Sequence, residues 1–116
     1  KQYTVNYQAQ LVRTLLQVKQ NLHHPHEQLV DMRNPVRYAG GKESRAGLRA
    51  GHIPGSFCFP FATMFEVDGR WKPVEKIRKQ LMGIGVDIAA PIVTTCGSGT
   101  TAPILNFVLD ILGYPE

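Results

Sequence analysis

Three short apolar runs, separated by segments of helical periodicity, restrict the possible folds more than any other feature of this sequence. The runs are residues 29–33, 56–59 and 90–96. Between the second and third runs, Val74, Ile77 and Leu81 recur at the spacing of one helical face. Strands that alternate with helices form parallel βαβ units, because each crossover must return the chain to the same end of the sheet. We therefore predict an α/β fold in which helices flank both faces of a parallel sheet.

The same periodicity predicts where the helices lie. A first helix is predicted over residues 9–20, where Leu11, Val12, Leu15 and Leu16 form an apolar stripe. A later helix is predicted to begin at Pro73 and to end at Gly83 or Gly85, and a last one runs from Thr101 to Gly113. Residues 34–51 are rich in glycine and charge, so they are predicted to form a long loop of functional importance.

Length and composition are those of one soluble globular domain of 116 residues. The net charge is +4, but the basic residues are scattered, which argues against a nucleic-acid-binding face. No apolar run is long enough for a membrane span, and the amino end lacks the pattern of a secretory signal. Two cysteines are too few for a disulfide scaffold, so we expect a reducing, cytoplasmic setting.

The segment IVTTCGSGTTAP, residues 92–103, places Cys96 between a strand and a helix. We expect Gly97 and Gly99 to adopt positive φ, so that successive amide groups turn inward as an anion-binding nest. The positive end of the following helix adds to this field. A thiol at this position should lose its proton readily and act as a nucleophile. The alternative is a buried, inert cysteine before a glycine turn.

The residue that ends this loop indicates which anion it suits. A tyrosine-phosphatase-type loop also follows a cysteine, but it closes on an arginine that grips phosphate with two hydrogen bonds. Here the matching position is Thr101 or Ala102. The loop is therefore better suited to a smaller, softer charge such as a persulfide sulfur than to phosphate.

Four stretches in order, DMR, ESRAGLRAGHIPGS, FPF and CGSGTTA, resemble the catalytic, carboxy-terminal domain of the 3-mercaptopyruvate sulfurtransferases in the rhodanese superfamily. The resemblance covers about residues 29–114. It implies a rhodanese-like sheet and sulfur transfer through a persulfide on Cys96. It also implies that Arg45 contacts the donor's carboxylate and that Arg49 assists. We weigh these two arginines against a solvated loop, in which neither has a role.

The resemblance also bears on domain organisation. Family members carry a preceding rhodanese-like half, and their catalytic domain continues past Gly-Tyr-Pro into a further strand. We therefore expect residues 1–116 to form a single rhodanese-like domain that is a fragment or half of a two-domain protein. The sheet of such a domain would lack its last strand and expose an open edge.

The loop residues further suggest the donor and the reaction. Gly97 and Ser98 are uncharged, whereas thiosulfate-preferring members carry basic residues there, so a monoanionic α-keto acid is expected. Ser98 would hydrogen-bond the donor's carbonyl or relay a proton, or would only tighten the turn. The other residues predicted to contact the donor are Gly97, Gly99, Thr100 and Thr101. The acceptor is expected to be a thiol such as reduced thioredoxin, or cyanide, and no cofactor is expected.

Two other functions stay open at this stage. In one, the same loop uses thiosulfate as its donor. In the other, the domain is a catalytically idle interaction module whose Cys96 takes up no sulfur. The identity of the faster donor separates the first from our leading prediction, and sulfur uptake by Cys96 separates the second.

The remaining polar residues have structural predictions. The resemblance implies that Asp31 and Arg33 lie near the cysteine loop and order it, and we expect a structural ion pair between them rather than a catalytic role. His52 is expected to be a hydrogen-bonded turn residue, and Cys58 to lie in the core. No metal site is predicted, because no cysteine or carboxylate completes one at matching spacing around the histidines His23, His24 and His26.

Overall fold

The computed structural model describes residues 2–43 and 45–114. Its helices are α1 (Leu15–His23), α2 (Pro35–Tyr38), α3 (Val74–Gly83) and α4 (Ala102–Ile111). Its strands are β1 (Gln28–Asp31), β2 (Phe57–Cys58) and β3 (Ile92–Thr95). Two single turns of 3-10 helix cover Ala9–Leu11 and Phe61–Met64.

The three strands form one parallel sheet in the order β2-β1-β3, which confirms the predicted α/β class. Asp31, the last residue of β1, pairs in register with Cys58 on one side and with Thr95 on the other. The carboxyl ends of all three strands therefore meet at one edge of the sheet. In open parallel sheets this edge is where ligands bind.

The core lies between the sheet and helices α3 and α4. Val30 and Met32 point from β1 to this side and are fully buried. The helix residues packed in the same cluster are Ile77, Leu81, Leu105, Val108 and Leu109. Each such side chain stabilises the fold by about 1.5–3 kcal/mol on burial. Leu29 alternates to the opposite face, where it lines a cavity together with Val18 of α1.

The first predicted helix is placed too early. The Thr14 side chain accepts a hydrogen bond from the Gln17 backbone amide, and the Gln17 side chain accepts one from the Thr14 amide. This capping box starts α1 at Leu15 and separates it from the preceding turn. The predicted stripe is not buried, since Leu15 is 73% and Leu16 is 64% exposed.

The long loop predicted over residues 34–51 contains the short helix α2. Asn34 caps this helix by accepting a hydrogen bond from the Arg37 amide, and Pro35 occupies the first helical position. The ends of the later helices agree better with the prediction. Pro73 is the cap of α3 rather than its first residue, and Gly113 ends the turn after α4 with a φ of 73°.

Among the described residues, β2 and β3 are both edge strands, since each pairs only with β1. Within residues 2–43 and 45–114, β3 pairs only with β1, and its free edge borders a cavity of about 730 Å³. In the same part of the chain, no helix has the length and apolar character needed to cross a bilayer.

Candidate active site

Cys96 follows directly on β3, at the edge where the strands end. The loop after it turns back at Gly99, which has a φ of 79°, and the Gly99 amide donates a hydrogen bond to the cysteine Sγ at 3.1 Å. A positive φ of this size is accessible to glycine at little cost. The tight turn therefore brings backbone N–H groups to the sulfur.

The electrostatics of this loop favour the thiolate. Burial raises the pKa of the Cys96 thiol, but the Thr101 hydroxyl and the loop amides outweigh burial and lower that pKa to about 6. The amides that contribute belong to Ala102, Ser98 and Thr101. A thiol with this pKa is mostly ionised at neutral pH, and the thiolate is the nucleophilic form.

Helix α4 begins at Ala102, so its amino end points at the cysteine loop. Thr101 occupies the cap position but makes no side-chain capping hydrogen bond; its hydroxyl is directed to the sulfur of Cys96 instead. The amide groups of the first helical turn lack partners within the helix and carry partial positive charge. Thr101 and the helix end thus act together on the thiolate.

The other two predicted hydroxyl residues lie further out. The hydroxyls of Ser98 and Thr100 lie 3.0 Å apart and hydrogen-bond to each other at the exposed surface of the loop. Ser98 therefore reaches the sulfur through its backbone amide rather than through its side chain. Its predicted role toward the donor's carbonyl stays a prediction.

Gly97 does not adopt the positive φ that the sequence predicts. In this loop, only Gly99 has a positive φ. The lack of a side chain at Gly97 has another cause. A β-carbon on Gly97 would lie 2.9 Å from Nη1 of Arg37, so the glycine makes room for a guanidinium group. Arg37 is thus a candidate site residue that sequence reasoning missed.

Arg45 lies beside the cysteine loop, and its predicted contact with the donor stays a prediction. Its Nη1 donates a hydrogen bond to the carbonyl oxygen of Gly97 at 2.7 Å, although 52 residues separate the two in the chain. Arg49 is not brought to the loop. It is exposed and makes no hydrogen bond or ion pair with any other residue in the described ranges. The second arginine beside the loop is Arg37.

Arg37 is held in place by Glu43. Nε of Arg37 donates to the carboxylate at 3.2 Å, and Nη2 donates to its two oxygens at 2.9 and 2.8 Å. Paired hydrogen bonds of this kind fix both the position and the plane of a guanidinium group. The Nη1 edge is left facing Gly97.

Asp31 and Arg33 form the ion pair that the sequence predicts. Asp31 is 1% exposed, and Arg33 donates to its carboxylate from Nε at 3.0 Å and from Nη2 at 2.6 Å. The hydrogen bond to Asp31 raises the pKa of Arg33 above its ordinary value. Nη2 of Arg33 also donates to the carbonyl of Gly51 at 2.7 Å. The pair therefore ties the end of β1 to the long loop.

The two remaining candidates have supporting positions. His52 stacks on the ring of Tyr38 and places Nδ1 2.7 Å from the Tyr38 carbonyl oxygen, so it is the hydrogen-bonded turn residue that was predicted. The expectation that Cys58 lies in the core is wrong: it ends the short edge strand β2 and is only half-buried, and this burial raises the pKa of its thiol. Cys58 and Thr95 flank Asp31 from opposite sides, so they stand about two strand spacings, ~9.6 Å, apart. Cys58 and Cys96 are both free thiols.

A parallel α/β sheet with an activated cysteine at the end of a strand defines a class of domains that use cysteine nucleophiles. The family model described as "Rhodanese-like domain" matches residues 14–116, and the chain therefore belongs to the rhodanese family. The crystal structure of SseA, a 3-mercaptopyruvate sulfotransferase from Escherichia coli, superposes with a TM-score of 0.79. That alignment has 28% identity and covers 98% of this chain and 42% of SseA.

Curated relatives carry sulfurtransferase names. "Thiosulfate/3-mercaptopyruvate sulfurtransferase 1, mitochondrial" of Arabidopsis thaliana is 40% identical over 115 residues, which are 98% of this chain and 30% of the relative. Human 3-mercaptopyruvate sulfurtransferase is 39% identical over 115 residues, or 95% of this chain and 39% of the relative. Chicken thiosulfate sulfurtransferase is 33% identical over 114 residues, with the same two coverages of 95% and 39%. The chain thus spans about a third of the length of these proteins.

Proposed function

We propose that this domain is a sulfurtransferase that takes the thiol sulfur of 3-mercaptopyruvate and holds it as the outer, sulfane sulfur of a persulfide on Cys96. The observation that carries the proposal is the thiol itself. It ends a parallel strand, its pKa is lowered to about 6, and it accepts a hydrogen bond from the Gly99 amide. A thiolate prepared in this way at neutral pH serves nucleophilic chemistry, whereas a packing cysteine needs none of these features.

In the first half of the reaction, the Cys96 thiolate attacks the sulfur of 3-mercaptopyruvate. A sulfur–sulfur bond forms and the carbon–sulfur bond breaks. The electron pair of the broken bond passes to carbon, giving the enolate of pyruvate. The proton that was on the donor's thiol ends on that carbon, so pyruvate leaves and an anionic persulfide stays on the enzyme. The loop amides that lower the thiol's pKa also stabilise the persulfide anion.

Two arginines beside the loop would bind the donor's carboxylate. Arg45 already reaches the Gly97 carbonyl at 2.7 Å, and Arg37 presents its Nη1 edge to the same residue. Guanidinium groups match carboxylates through parallel hydrogen bonds. A carboxylate held between them would place the donor's reacting end over the cysteine loop.

In the second half, an acceptor attacks the outer sulfur of the persulfide. A thiolate acceptor, such as that of reduced thioredoxin, would leave as its own persulfide, and cyanide would leave as thiocyanate. In both cases the bonding pair of the sulfur–sulfur bond returns to Cys96 as thiolate. The scheme is therefore a double displacement, with one product released before the acceptor reacts.

Thiosulfate is the competing donor, because some similar proteins are named for it and others are named for both donors. The uncharged side chains beside the thiol, at positions 97 and 98, favour the keto acid. Rates of thiocyanate formation with each donor decide between them. Faster turnover with thiosulfate would contradict our choice of donor while leaving the persulfide chemistry in place.

Sulfur uptake on Cys96 is the direct test of the proposal. The protein is incubated briefly with 3-mercaptopyruvate and its intact mass is measured. We expect the mass to increase by one sulfur atom. The increase should disappear in Cys96→Ser. It should persist in the matched control Cys58→Ser, because the Cys58 thiol that this variant removes has a raised pKa. No increase with either donor would identify an idle interaction module and refute the proposal.

A further inference from the structure

Glu43 contacts all three arginines of the site. Its carboxylate accepts two-point hydrogen bonds from Arg37 and lies 3.8 Å from Nη1 of Arg33. It also accepts a hydrogen bond of 3.4 Å from the backbone amide of Arg45. Only 7% of its side chain is exposed. A carboxylate this buried makes its strongest interactions with the charges around it.

Four charged side chains are linked by these contacts, and Arg45 joins them through its backbone amide while its guanidinium contacts the Gly97 carbonyl; the five residues are called the donor-site cluster. The cluster consists of Asp31, Arg33, Arg37, Glu43 and Arg45. Three guanidinium groups and two carboxylates leave it with one net positive charge. Asp31 is paired with Arg33 at the end of β1. Glu43 is the acidic member nearest the two arginines that border the loop.

Glu43 also controls which part of Arg37 is available. Nε and Nη2 of Arg37 are taken up by the carboxylate, while Nη1 faces Gly97 and makes no hydrogen bond elsewhere in the described part of the chain. Arg37 can therefore donate hydrogen bonds to a bound anion from its Nη1 side. Its positive charge is already largely balanced by the carboxylate behind it.

We propose that Glu43 determines the charge class of the sulfur donor, so that the site accepts monoanions and discriminates against dianions. This inference rests on the proposed sulfurtransferase function. A monoanionic donor would match the single positive charge of the donor-site cluster. A dianion would bring a second negative charge toward the buried carboxylate of Glu43 as well as toward the Cys96 thiolate, and like charges repel strongly where water is scarce.

The test measures a specificity ratio, the kcat/KM for thiosulfate divided by that for 3-mercaptopyruvate. Glu43→Gln keeps the size of the side chain and removes its charge. We expect the ratio to rise roughly tenfold, as one unit charge near a bound ion produces at a partly exposed site. Both rates come from one preparation, so a loss of folded protein does not affect the ratio.

Two further variants separate charge from geometry. Glu43→Asp keeps the charge but shortens the side chain, so both rates should fall while the ratio stays near the wild-type value. Ala46→Lys adds a positive charge at an exposed position beside Arg45 without removing a contact, so the ratio should rise as it does in Glu43→Gln. This variant keeps the inference testable if Glu43→Gln does not fold.

The outcomes distinguish this inference from the function on which it rests. An unchanged or lower ratio in Glu43→Gln, or an equal rise in Glu43→Asp, would overturn the role of the Glu43 charge. The persulfide test on Cys96 would still stand in that case. If Cys96 takes up sulfur from neither donor, the proposed function itself fails.

Discussion

The guanidinium group of Arg37 lies against the backbone of Gly97, 60 positions later in the sequence. A β-carbon on the glycine would lie 2.9 Å from Nη1 and 3.0 Å from Nη2. The side chain cannot simply swing away, because Glu43 holds it by paired hydrogen bonds. The absence of one methyl group at position 97 therefore lets an arginine approach the cysteine loop.

We expect Gly97→Ala to impair the reaction without unfolding the domain. The added methyl group must displace either the guanidinium or the loop, and displacements near 1 Å at reacting groups cost on the order of a hundredfold in rate. We predict a fall of about ten- to a hundredfold in kcat/KM for 3-mercaptopyruvate. The matched control is Gly83→Ala, since a β-carbon there meets no atom within 4 Å. Equal activity in both variants would contradict the close approach.

The pH dependence of Cys96 should reveal its environment. With a pKa of about 6, roughly nine-tenths of the thiol is ionised at pH 7. We expect alkylation by iodoacetamide to rise with pH to a midpoint near 6. Thr101→Val removes a hydroxyl that donates to the sulfur, so its midpoint should move upward. The raised pKa of Cys58 makes the remaining thiol in Cys96→Ser a slow-reacting control.

The same shift predicts how stability depends on pH. The pKa of Cys96 is lower in the folded than in the unfolded protein, so the unfolded state binds more protons between the two values. The stability that the Cys96 thiolate contributes is fully present above the pKa of the unfolded state, near 8.5, and is lost as the pH falls through about 6. In Cys96→Ser, the free energy of unfolding should rise less over this interval. Parallel pH profiles for the two proteins would contradict the thiolate assignment.

Arginine geometry, rather than charge alone, should matter at the donor site. Lysine keeps the charge of Arg45 but cannot form two parallel hydrogen bonds to a carboxylate. We predict that Arg45→Lys and Arg37→Lys each lower kcat/KM about tenfold or more, mainly through a higher KM. Arg70→Lys is the control, since that exposed arginine pairs with Asp68. Unchanged kinetics in both site variants would show that neither arginine binds the donor.

Local signals in the sequence predicted the structural setting of Cys96, between a strand and a helix, and the structure has it there. The apolar run before Cys96, the glycines after it and the helical pattern from Thr101 are all read within a dozen residues. The positive φ of Gly99 follows from the same local rules, because glycine is the residue that adopts it cheaply. Elements whose signals are contiguous in the chain were therefore predictable.

The partners of the loop depend on contacts that sequence spacing does not reveal. Arg49 is only four positions from Arg45, but Gly47 turns the chain between them with a φ of 78°, and Arg49 is exposed. The asparagine and proline at positions 34 and 35 are residues typical of a helix start, and the prediction of a long loop overlooked them. Nothing local, however, indicated that this helix would face Gly97. The predicted bounds of the first helix were wrong for another reason, because the capping box at Thr14 fixes the start of the helix inside the apolar stripe.

The buried pair of Asp31 and Arg33 should contribute strongly to stability. Asp31 is 1% exposed and its oxygens are occupied by the guanidinium of Arg33. Removing one partner of a buried pair leaves the other charge uncompensated, at a cost of about 3–5 kcal/mol. We therefore expect Asp31→Asn to lower the free energy of unfolding, measured by urea denaturation, by about 3 kcal/mol.

The exposed pair of Asp68 and Arg70 provides the matched control. Their side chains are 49% and 85% exposed, so water screens the attraction between them. Asp68→Asn should leave the free energy of unfolding close to the wild-type value. If Asp31→Asn were no more destabilising than Asp68→Asn, the charge on Asp31 would not be what anchors Arg33. The end of β1 would then have to be held to the long loop by other contacts.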